Sequence, residues 1–294
     1  IIMTKTGCII QGNIRTKHIN LIVNEMIKHF DYVVISTWIG EKITLDETKC
    51  KIIYNSKPIN PGLTNRNLQR LSVASALRYL KNNDVEFVLK WRTDMLATNM
   101  DLKKLLFLAN ENLHSQIKSR IVMPAFRNLS VIPDCLSSFP DHFAFGHIDE
   151  IELLWGDKEF DYTKDFNFIG LEDPEIIQKY DAHSELYLIY RNTIEDKIGI
   201  KLSHPEIVRS RLNLIDFEFL KICWFKDDNS FRSIKQAYEY PWWTERNYKN
   251  NKFEFYNFKK KLNYTFKLYY IFVNNFFSRI NVLKQRYWFN NYQI

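Results

Sequence analysis

The sequence predicts an α/β fold in which a single sheet is flanked by helices. Up to about residue 126, short apolar segments alternate with longer segments whose apolar residues recur every three or four positions. The apolar segments are almost continuous, which is typical of parallel strands that are buried on both faces. The chain has 294 residues, of which 46% are apolar, so it is long enough to bury a substantial core. Repeated strand–helix–strand units imply right-handed crossovers.

Strands and helices can be assigned in order along the chain. In the first half we expect strands at residues 7–12, 31–38, 51–54, 85–90 and 120–126, and helices at 18–30, 65–80 and 102–110. The alternation changes after residue 127, where a proline-containing loop precedes a strand at 142–147. Further on we expect helices at 149–155 and 185–198, and a late strand at 217–225.

The net charge is concentrated near the C-terminal end. Residues 251–294 carry eight basic residues and one acidic residue, so the whole net charge of +7 lies in this segment. Apolar residues recur every three or four positions from 259 to 289, which predicts a long amphipathic helix. We therefore expect an α/β domain over residues 1–230 and a basic, aromatic helical segment over residues 231–294.

Several protein classes are disfavoured by what the sequence lacks. The four cysteines are scattered without a CxxC pair, which argues against a disulfide scaffold or a zinc ribbon and favours free thiols. Without GxGxxG, Walker A, GxSxG or HExxH motifs, a dinucleotide oxidoreductase, a P-loop kinase, a serine hydrolase of that type and a zincin are not indicated. Neither a signal peptide nor an uncharged apolar run of about 18 residues is recognised, so we expect a cytoplasmic protein.

Polar residues lie at the ends of three of the predicted strands. These strand ends read Gln11-Gly12-Asn13, Ser36-Thr37-Trp38 and Arg92-Thr93-Asp94. In open α/β sheets, ligands bind beyond the carboxyl ends of the strands. The three strand ends are therefore expected to converge on one pocket.

Asp94 and Arg92 are candidates for binding a diphosphate. A carboxylate that follows a buried strand can hold a divalent cation, which in turn binds phosphate oxygens. Arg92 can reach the same phosphates or hold Asp94 in a bidentate ion pair. The alternative is a salt bridge that does no more than close the strand end.

The sequence NRNLQR, residues 65–70, opens a predicted helix. Arg66 and Arg70 lie near free backbone N–H groups there, which is an arrangement that suits an anion. The alternative is a solvated first turn of the helix.

Three further residues are candidates for proton transfer. Asp141 and His142 lie before a predicted strand, and Glu185 begins a predicted helix. A carboxylate or a histidine can accept the proton of an attacking hydroxyl group. An acidic residue at a helix start is also common simply as a partner of the helix dipole.

Five motifs in this order resemble the WavE-type lipopolysaccharide-synthesis family: IIQG, ISTWIGE, NRNLQR, FVLKWRTDM, and PDHFAFG followed by LLW. The resemblance covers roughly residues 7–200, and KWRTDM together with the Ser-Thr-Trp strand end is its most specific part. It implies a GT-A-like single mixed sheet flanked by helices. It also implies a glycosyltransferase that moves a sugar from a nucleotide-sugar donor to a hydroxyl of a bacterial surface glycan, such as lipopolysaccharide, lipooligosaccharide or capsule.

The resemblance also implies roles for individual residues. Gln11, Gly12, Ser36 and Thr37 would line the nucleotide pocket, and Arg66, Arg70 and Arg92 would contact the base, ribose or diphosphate. Asp94 stands where GT-A enzymes carry a DxD motif and would bind Mn²⁺ or Mg²⁺. Arg92 replaces the first Asp of that motif and would supply part of the metal's charge, so strict metal dependence is not implied. Asp141 and His142 would lie on the acceptor side, with Glu185 as a base carried by a helix.

The expected partners are a UDP-, GDP- or CMP-linked sugar donor and a glycan or glycolipid acceptor. Segment 251–294 can lie on an anionic membrane surface at the inner face of the cytoplasmic membrane, or it can pack on the body with its aromatic residues as core.

Two other functions are alternatives. A sugar-phosphate nucleotidyltransferase would usually show a glycine-rich, basic loop after the first strand, where this chain has one glycine, Gly12. A non-catalytic protein could bind nucleic acid or a membrane through the tail, but no RNA- or DNA-binding motif is found, so nucleic acid is not an expected partner.

Overall fold

The computed structural model describes residues 4–14, 18–43, 45, 50–61, 65–113, 117–124, 131–132, 135–136, 140–156, 182–199, 201–202, 204–215, 219–227 and 230–233. The predicted amphipathic helix at 259–289 and the basic segment 251–294 lie outside these residues. Within the described part of the chain, no helix combines the length and the apolar character needed to cross a bilayer.

Twelve strands and six helices are described. The strands are β1 (Thr6–Gln11), β2 (Tyr32–Trp38), β3 (Lys51–Asn55), β4 (Phe87–Arg92), β5 (Met95–Ala97), β6 (Ile121–Pro124), β7 (Val131–Ile132), β8 (Cys135–Leu136), β9 (Ala144–His147), β10 (Leu212–Ile215), β11 (Ile222–Asp227) and β12 (Ser230–Ser233). The helices are α1 (Ile19–Ile27), α2 (Arg66–Lys81), α3 (Leu102–Asn110), α4 (Ile148–Trp155), α5 (Ala182–Ile198) and α6 (His204–Arg211).

Seven strands form one mixed sheet in the order β10-β6-β9-β4-β1-β2-β3. Strands β3, β2, β1 and β4 are parallel, β9 is antiparallel to both β4 and β6, and β10 is parallel to β6. A mixed sheet flanked by helices is therefore confirmed. The chain also forms a three-stranded sheet, β12-β11-β5, and a two-stranded sheet, β7-β8, which the sequence analysis did not predict.

Two hydrophobic layers enclose the main sheet, because successive residues of a strand face opposite sides. Cys8 and Ile10 of β1 pack on one side with residues of α1 and α3. Ile9 packs on the other side with residues of α2, α4 and α5. Cys8 and Cys50 are buried free thiols, and burial raises the pKa of the Cys8 thiol.

Most predicted elements in the first 155 residues are present within a few residues of their expected bounds. The late strand expected at 217–225 is β11, which begins at Ile222, because Lys221 has a positive φ of 44° that interrupts an extended chain.

The described part of β12 extends to Ser233, so the expected domain division after residue 230 falls within this strand. The division itself stays a prediction.

Helices α2 and α4 are joined by a buried arginine. Arg70 of α2 is 2% exposed, and its guanidinium donates hydrogen bonds to the carbonyl of Leu154 at 3.1 Å and that of Gly156 at 3.0 Å. The last carbonyls of a helix have no partner within the helix. Arg70 therefore satisfies the C-terminal end of α4 and fixes the helix against α2.

We expect Arg70→Met to lower the free energy of unfolding by about 2–4 kcal/mol, because two buried carbonyls lose a charged donor. Urea denaturation monitored by circular dichroism measures the change. The matched control is Arg78→Met in the same helix, which removes an exposed arginine and should change stability by less than about 0.5 kcal/mol. Equal effects of the two substitutions would contradict the structural role of Arg70.

Candidate functional site

A cavity of about 420 Å³ lies at the carboxyl ends of β1 and β4. Its lining includes Gln11, Gly12 and Asn13 at the end of β1, and Arg92, Thr93 and Asp94 at the end of β4. In the sheet, β1 lies between β2 and β4: the chain runs from β1 to β2 and β3 on one side and then crosses back to β4 on the other side of β1. Such a switch point is where open α/β sheets bind ligands. The cavity also has the size of a small-molecule site.

Backbone contacts hold the two strand ends together. The Thr93 amide donates to the carbonyl of Gln11 at 3.2 Å, and the Thr93 hydroxyl donates to the carbonyl of Asn13 at 2.7 Å. Gly12 has a φ of 124°, and a Cβ there would lie 3.2 Å from the Thr93 hydroxyl oxygen. A side chain at position 12 would therefore be strained and crowded. Gly12 lines the cavity, and its role in binding a nucleotide stays a prediction.

Arg92 and Asp94 form a bidentate ion pair at the cavity. Arg92 Nε donates to Asp94 Oδ1 at 2.8 Å, and Arg92 Nη2 donates to Oδ2 at 2.9 Å. The side chain of Arg92 remains 23% exposed, whereas that of Asp94 is 11% exposed. A bidentate pair fixes both the position and the plane of the guanidinium. The structure thus places the bidentate pair foreseen from the sequence at the cavity itself.

Asp141 joins the same cluster from the segment before β9. Gln69 lines the cavity and donates through Nε2 to Asp141 Oδ2 at 2.8 Å. Arg92 Nη1 lies 3.8 Å from the same oxygen. Asp141 is therefore brought next to the cavity residues, although it is 49 positions from Arg92 in the sequence.

Ser36 and Thr37 do not line the cavity, because both are completely buried. The Ser36 hydroxyl donates to the carbonyl of Ser72 at 2.6 Å and accepts from Asn55 Nδ2 at 2.9 Å. The Ser72 hydroxyl in turn lies 3.0 Å from Gln11 Oε1, to which it donates. Ser36 therefore supports the cavity-lining Gln11 through α2, which differs from the expectation that it contacts a nucleotide.

The residues at the start of α2 that line the cavity are not the expected Arg66 and Arg70. Asn65, Leu68 and Gln69 line the cavity. Arg66 is 5% exposed and lies outside the lining, with Nη2 donating to Asn67 Oδ1 at 3.2 Å. Arg70, one turn later on the same helix face, bonds α4 instead. Of the three arginines expected at the ligand, the two of α2, Arg66 and Arg70, are thus outside the cavity lining, and Arg92 is within it.

The other two predicted proton-transfer residues are His142 and Glu185, and neither is described as part of the cavity lining. His142 is 3% exposed and outside the cavity lining, and its Nδ1 lies 3.8 Å from Asp141 Oδ1. Glu185 lies in α5, but its side chain is outside the described part of the structure. Asp141 is the one of the three whose described contacts reach the cavity residues.

Two lysines at or near the cavity received no role from the sequence. The exposed Lys57 lines the cavity, together with Trp38 of the predicted Ser36-Thr37-Trp38 strand end. Lys90 is completely buried in β4, and its ammonium group donates to the carbonyl of Asp141. A lysine inside the otherwise apolar run FVLKW was the available signal for Lys90. Lys57 follows β3 in a polar loop and carried no such signal.

A divalent ion at this site would depend on Asp94. Among the described residues, no group of three or more histidine, cysteine, aspartate and glutamate residues could hold a metal ion. Both Asp94 oxygens already accept hydrogen bonds from Arg92. Mg²⁺ is often held by one or two carboxylates together with substrate phosphates, so Asp94 suffices only if a bound diphosphate supplies further oxygens.

No protein-family model matches this sequence. No curated protein matches it either. Among solved structures, the chain is similar to the one titled "Crystal Structure of A197 from STIV", with 12% sequence identity and a TM-score of 0.38. That match covers 78% of this chain and 90% of the other chain. At this TM-score, the similarity carries no conclusion about activity or ligand.

Proposed function

We propose that the chain is a nucleotide-sugar-dependent glycosyltransferase that transfers a sugar to a hydroxyl of a bacterial surface glycan. The observation that carries this proposal is the polar cavity at the switch point of the sheet, with an oriented arginine in its wall. The resemblance to the WavE-type family, carried by motifs such as KWRTDM, supports the same reaction class. The residues of that motif form the end of β4 at the cavity.

The cavity offers suitable groups for each part of a nucleotide-sugar donor. Arg92 presents a guanidinium of fixed orientation, and the nearby wall adds the cation of Lys57, so a diphosphate would meet two positive charges. The half-buried Leu68 contributes apolar surface against which a base can pack. Main-chain and amide groups around Gln11 can bind hydroxyls and base edges.

The donor's diphosphate would compete with Asp94 for the guanidinium of Arg92. Arginine binds phosphate and carboxylate in the same bidentate manner. When a phosphate takes one of these hydrogen bonds, an Asp94 oxygen becomes available to Mn²⁺ or Mg²⁺. Such an ion would help neutralise the nucleoside diphosphate as it leaves. Arg92 supplies a positive charge there without an ion, so we propose that donor binding does not strictly require a metal.

We propose Asp141 as the base that accepts the proton of the acceptor hydroxyl. Its carboxylate adjoins two cavity residues, Gln69 and Arg92, and its side chain is 12% exposed. A base must reach the reacting proton directly or through one water molecule. Glu185 on α5 is the alternative base. Asp141, like His142, is outside the cavity lining, but its carboxylate accepts a hydrogen bond from Gln69 of that lining.

The acceptor would be a glycan or glycolipid displayed at the inner face of the cytoplasmic membrane. Segment 251–294 supports this part of the proposal by its composition, with eight basic residues and 15 aromatic residues. Each basic residue near an anionic lipid surface contributes about 1 kcal/mol of attraction. A peripheral attachment of this kind would hold the enzyme at the surface that displays a lipid-linked acceptor.

Arg92→Met should weaken the binding of UDP-N-acetylglucosamine or GDP-mannose by about 10- to 150-fold, because a hydrogen bond to a charged group contributes about 1.5–3 kcal/mol. Isothermal titration calorimetry of the full chain, in EDTA, measures the affinity. Arg78→Met in the same protein is the matched control and should bind like the wild type. Unchanged affinity in Arg92→Met would remove the guanidinium from the donor site.

Asp94→Ala should reduce the transfer of a radiolabelled sugar by at least about tenfold and abolish any gain from added Mn²⁺. The wild-type protein should still bind the donor in EDTA, since Arg92 does not depend on the metal. A thermal-shift screen of UDP-, GDP- and CMP-sugars, with and without Mn²⁺, selects the donor for this assay. Equal transfer by the wild type and Asp94→Ala would exclude the assigned role of Asp94.

Asp141→Asn should reduce transfer by about 10²- to 10⁴-fold, because the amide cannot accept the proton, while donor affinity should change far less. Glu185→Gln is measured beside it and should retain most of the activity, as should Glu152→Gln on the surface of α4. A large loss in Glu185→Gln with full activity in Asp141→Asn would assign the base to α5 instead.

A further inference from the structure

Lys90 occupies a position where a charged residue is costly. It lies within β4, is completely buried, and its strand neighbours on the same side are Val88 in the apolar core and Arg92 at the cavity. Removing an ammonium group from water without compensation costs several kcal/mol. Among the described lysines, Lys90 is the one that is fully buried. A methionine would fill such a position without that cost, so stability alone gives no reason for a lysine here.

The ammonium group of Lys90 connects β4 to the segment before β9. Its Nζ donates to the main-chain carbonyl of Asp141. It also lies 4.6 Å from the centroid of the Trp155 ring, a distance typical of a cation–π contact. Asp141 in turn accepts from the cavity residue Gln69 at 2.8 Å. Lys90 therefore acts on the cavity through Asp141, although it is not itself among the cavity-lining residues.

Four charged groups meet at this point of the structure. Arg92 pairs with Asp94 and also approaches Asp141, and Lys90 interacts electrostatically with all three. With Lys90 protonated, two cations balance two carboxylates. With Lys90 neutral, the cluster carries one net negative charge beside the cavity. An anionic ligand would then meet repulsion in a region of low dielectric.

We propose that Lys90 is a positioning residue of this site, whose buried ammonium holds the Asp141 segment against β4 and keeps the charge cluster neutral so that a diphosphate can bind. The inference rests on the proposed function, because it takes the cavity to be the donor site. The inference adds Lys90, a residue outside the cavity wall, to the residues that control donor affinity. The same contact fixes the backbone of the proposed base.

The protonation state of Lys90 changes in the physiological pH range. Burial lowers the pKa of Lys90 to about 7; Asp141 and Asp94 favour its charged form and Arg92 opposes it. Raising the pH through this value removes the ammonium charge, so donor affinity should fall by up to about tenfold per pH unit. Conversely, a bound diphosphate favours the charged form. Donor binding above the pKa should therefore take up a proton.

The test is calorimetric titration of the full-length protein with UDP-N-acetylglucosamine and with GDP-mannose at pH 7.5, in buffers of different ionisation enthalpy. Both phosphates of these probes are esterified, so they lack the phosphate ionisation near pH 6. A group with a pKa of about 7 is about one-quarter protonated at pH 7.5, so the wild type should take up as much as about three-quarters of a proton per donor bound. Lys90→Met should take up almost none and should lose the fall in affinity between pH 7 and pH 8.

Lys81→Met is the matched control, because Lys81 lies at the opposite end of α2, where it pairs with Asp149 and Glu152. It should retain the wild-type proton uptake. Lys90→Met keeps His142, so the comparison with wild type separates the lysine from that neighbouring histidine. Equal proton uptake in wild type and Lys90→Met would overturn the inference and leave the proposed function standing. Failure of the wild type to bind either probe would overturn both.

A variant that does not fold is recognised by its thermal unfolding curve. For that case, the lysine side-chain signals of the ¹³C-labelled wild-type protein are followed by NMR as the pH is raised. One signal should titrate near pH 7 and move to a higher midpoint when UDP-N-acetylglucosamine or GDP-mannose is added. If every lysine signal titrates above about pH 9, Lys90 does not change its protonation state near pH 7 and the inference is overturned.

Discussion

The candidate site depends on the parallel pairing of β1 with β4. Gln11 lies opposite Arg92 in this pair, so the two chain segments leave the sheet side by side. Thr93 then donates hydrogen bonds to the carbonyls of Gln11, the last residue of β1, and of Asn13 beyond it, and Gly12 supplies the positive φ that lets the chains approach. Without this pairing, the polar strand ends would not share one cavity.

A second constraint is the balance of charge in a largely buried cluster. The Arg92–Asp94 pair, Asp141 and Lys90 lie where water cannot freely solvate them. Breaking a buried pair by removing one partner leaves an uncompensated charge, which is costly. The cluster is therefore coupled, and a ligand that adds negative charge acts on all of its members. This coupling links the proposed donor site to the proposed base.

Much of the fold could be predicted from residue patterns. The strand before Gly12 and the helix α3, whose bounds were foreseen, have strong local periodicity. Strands β5 and β10 were missed because they are three and four residues long and form by pairing with distant strands. In α2, the charge of the arginines led to the prediction that they contact the ligand. The residues of this helix start that line the cavity are instead Asn65, Leu68 and Gln69.

By itself, the sequence determined the alternation of strands and helices and the concentration of polar residues at the ends of β1 and β4. Both depend only on the types and spacing of residues that are close in the sequence. The tertiary structure alone decided which of those residues reach the cavity. Arg70 is drawn to the end of α4, 84 positions away, and Lys90 to Asp141, 51 positions away. Such partners are brought together when elements that are distant in the sequence pack against each other. A local sequence pattern cannot predict these contacts.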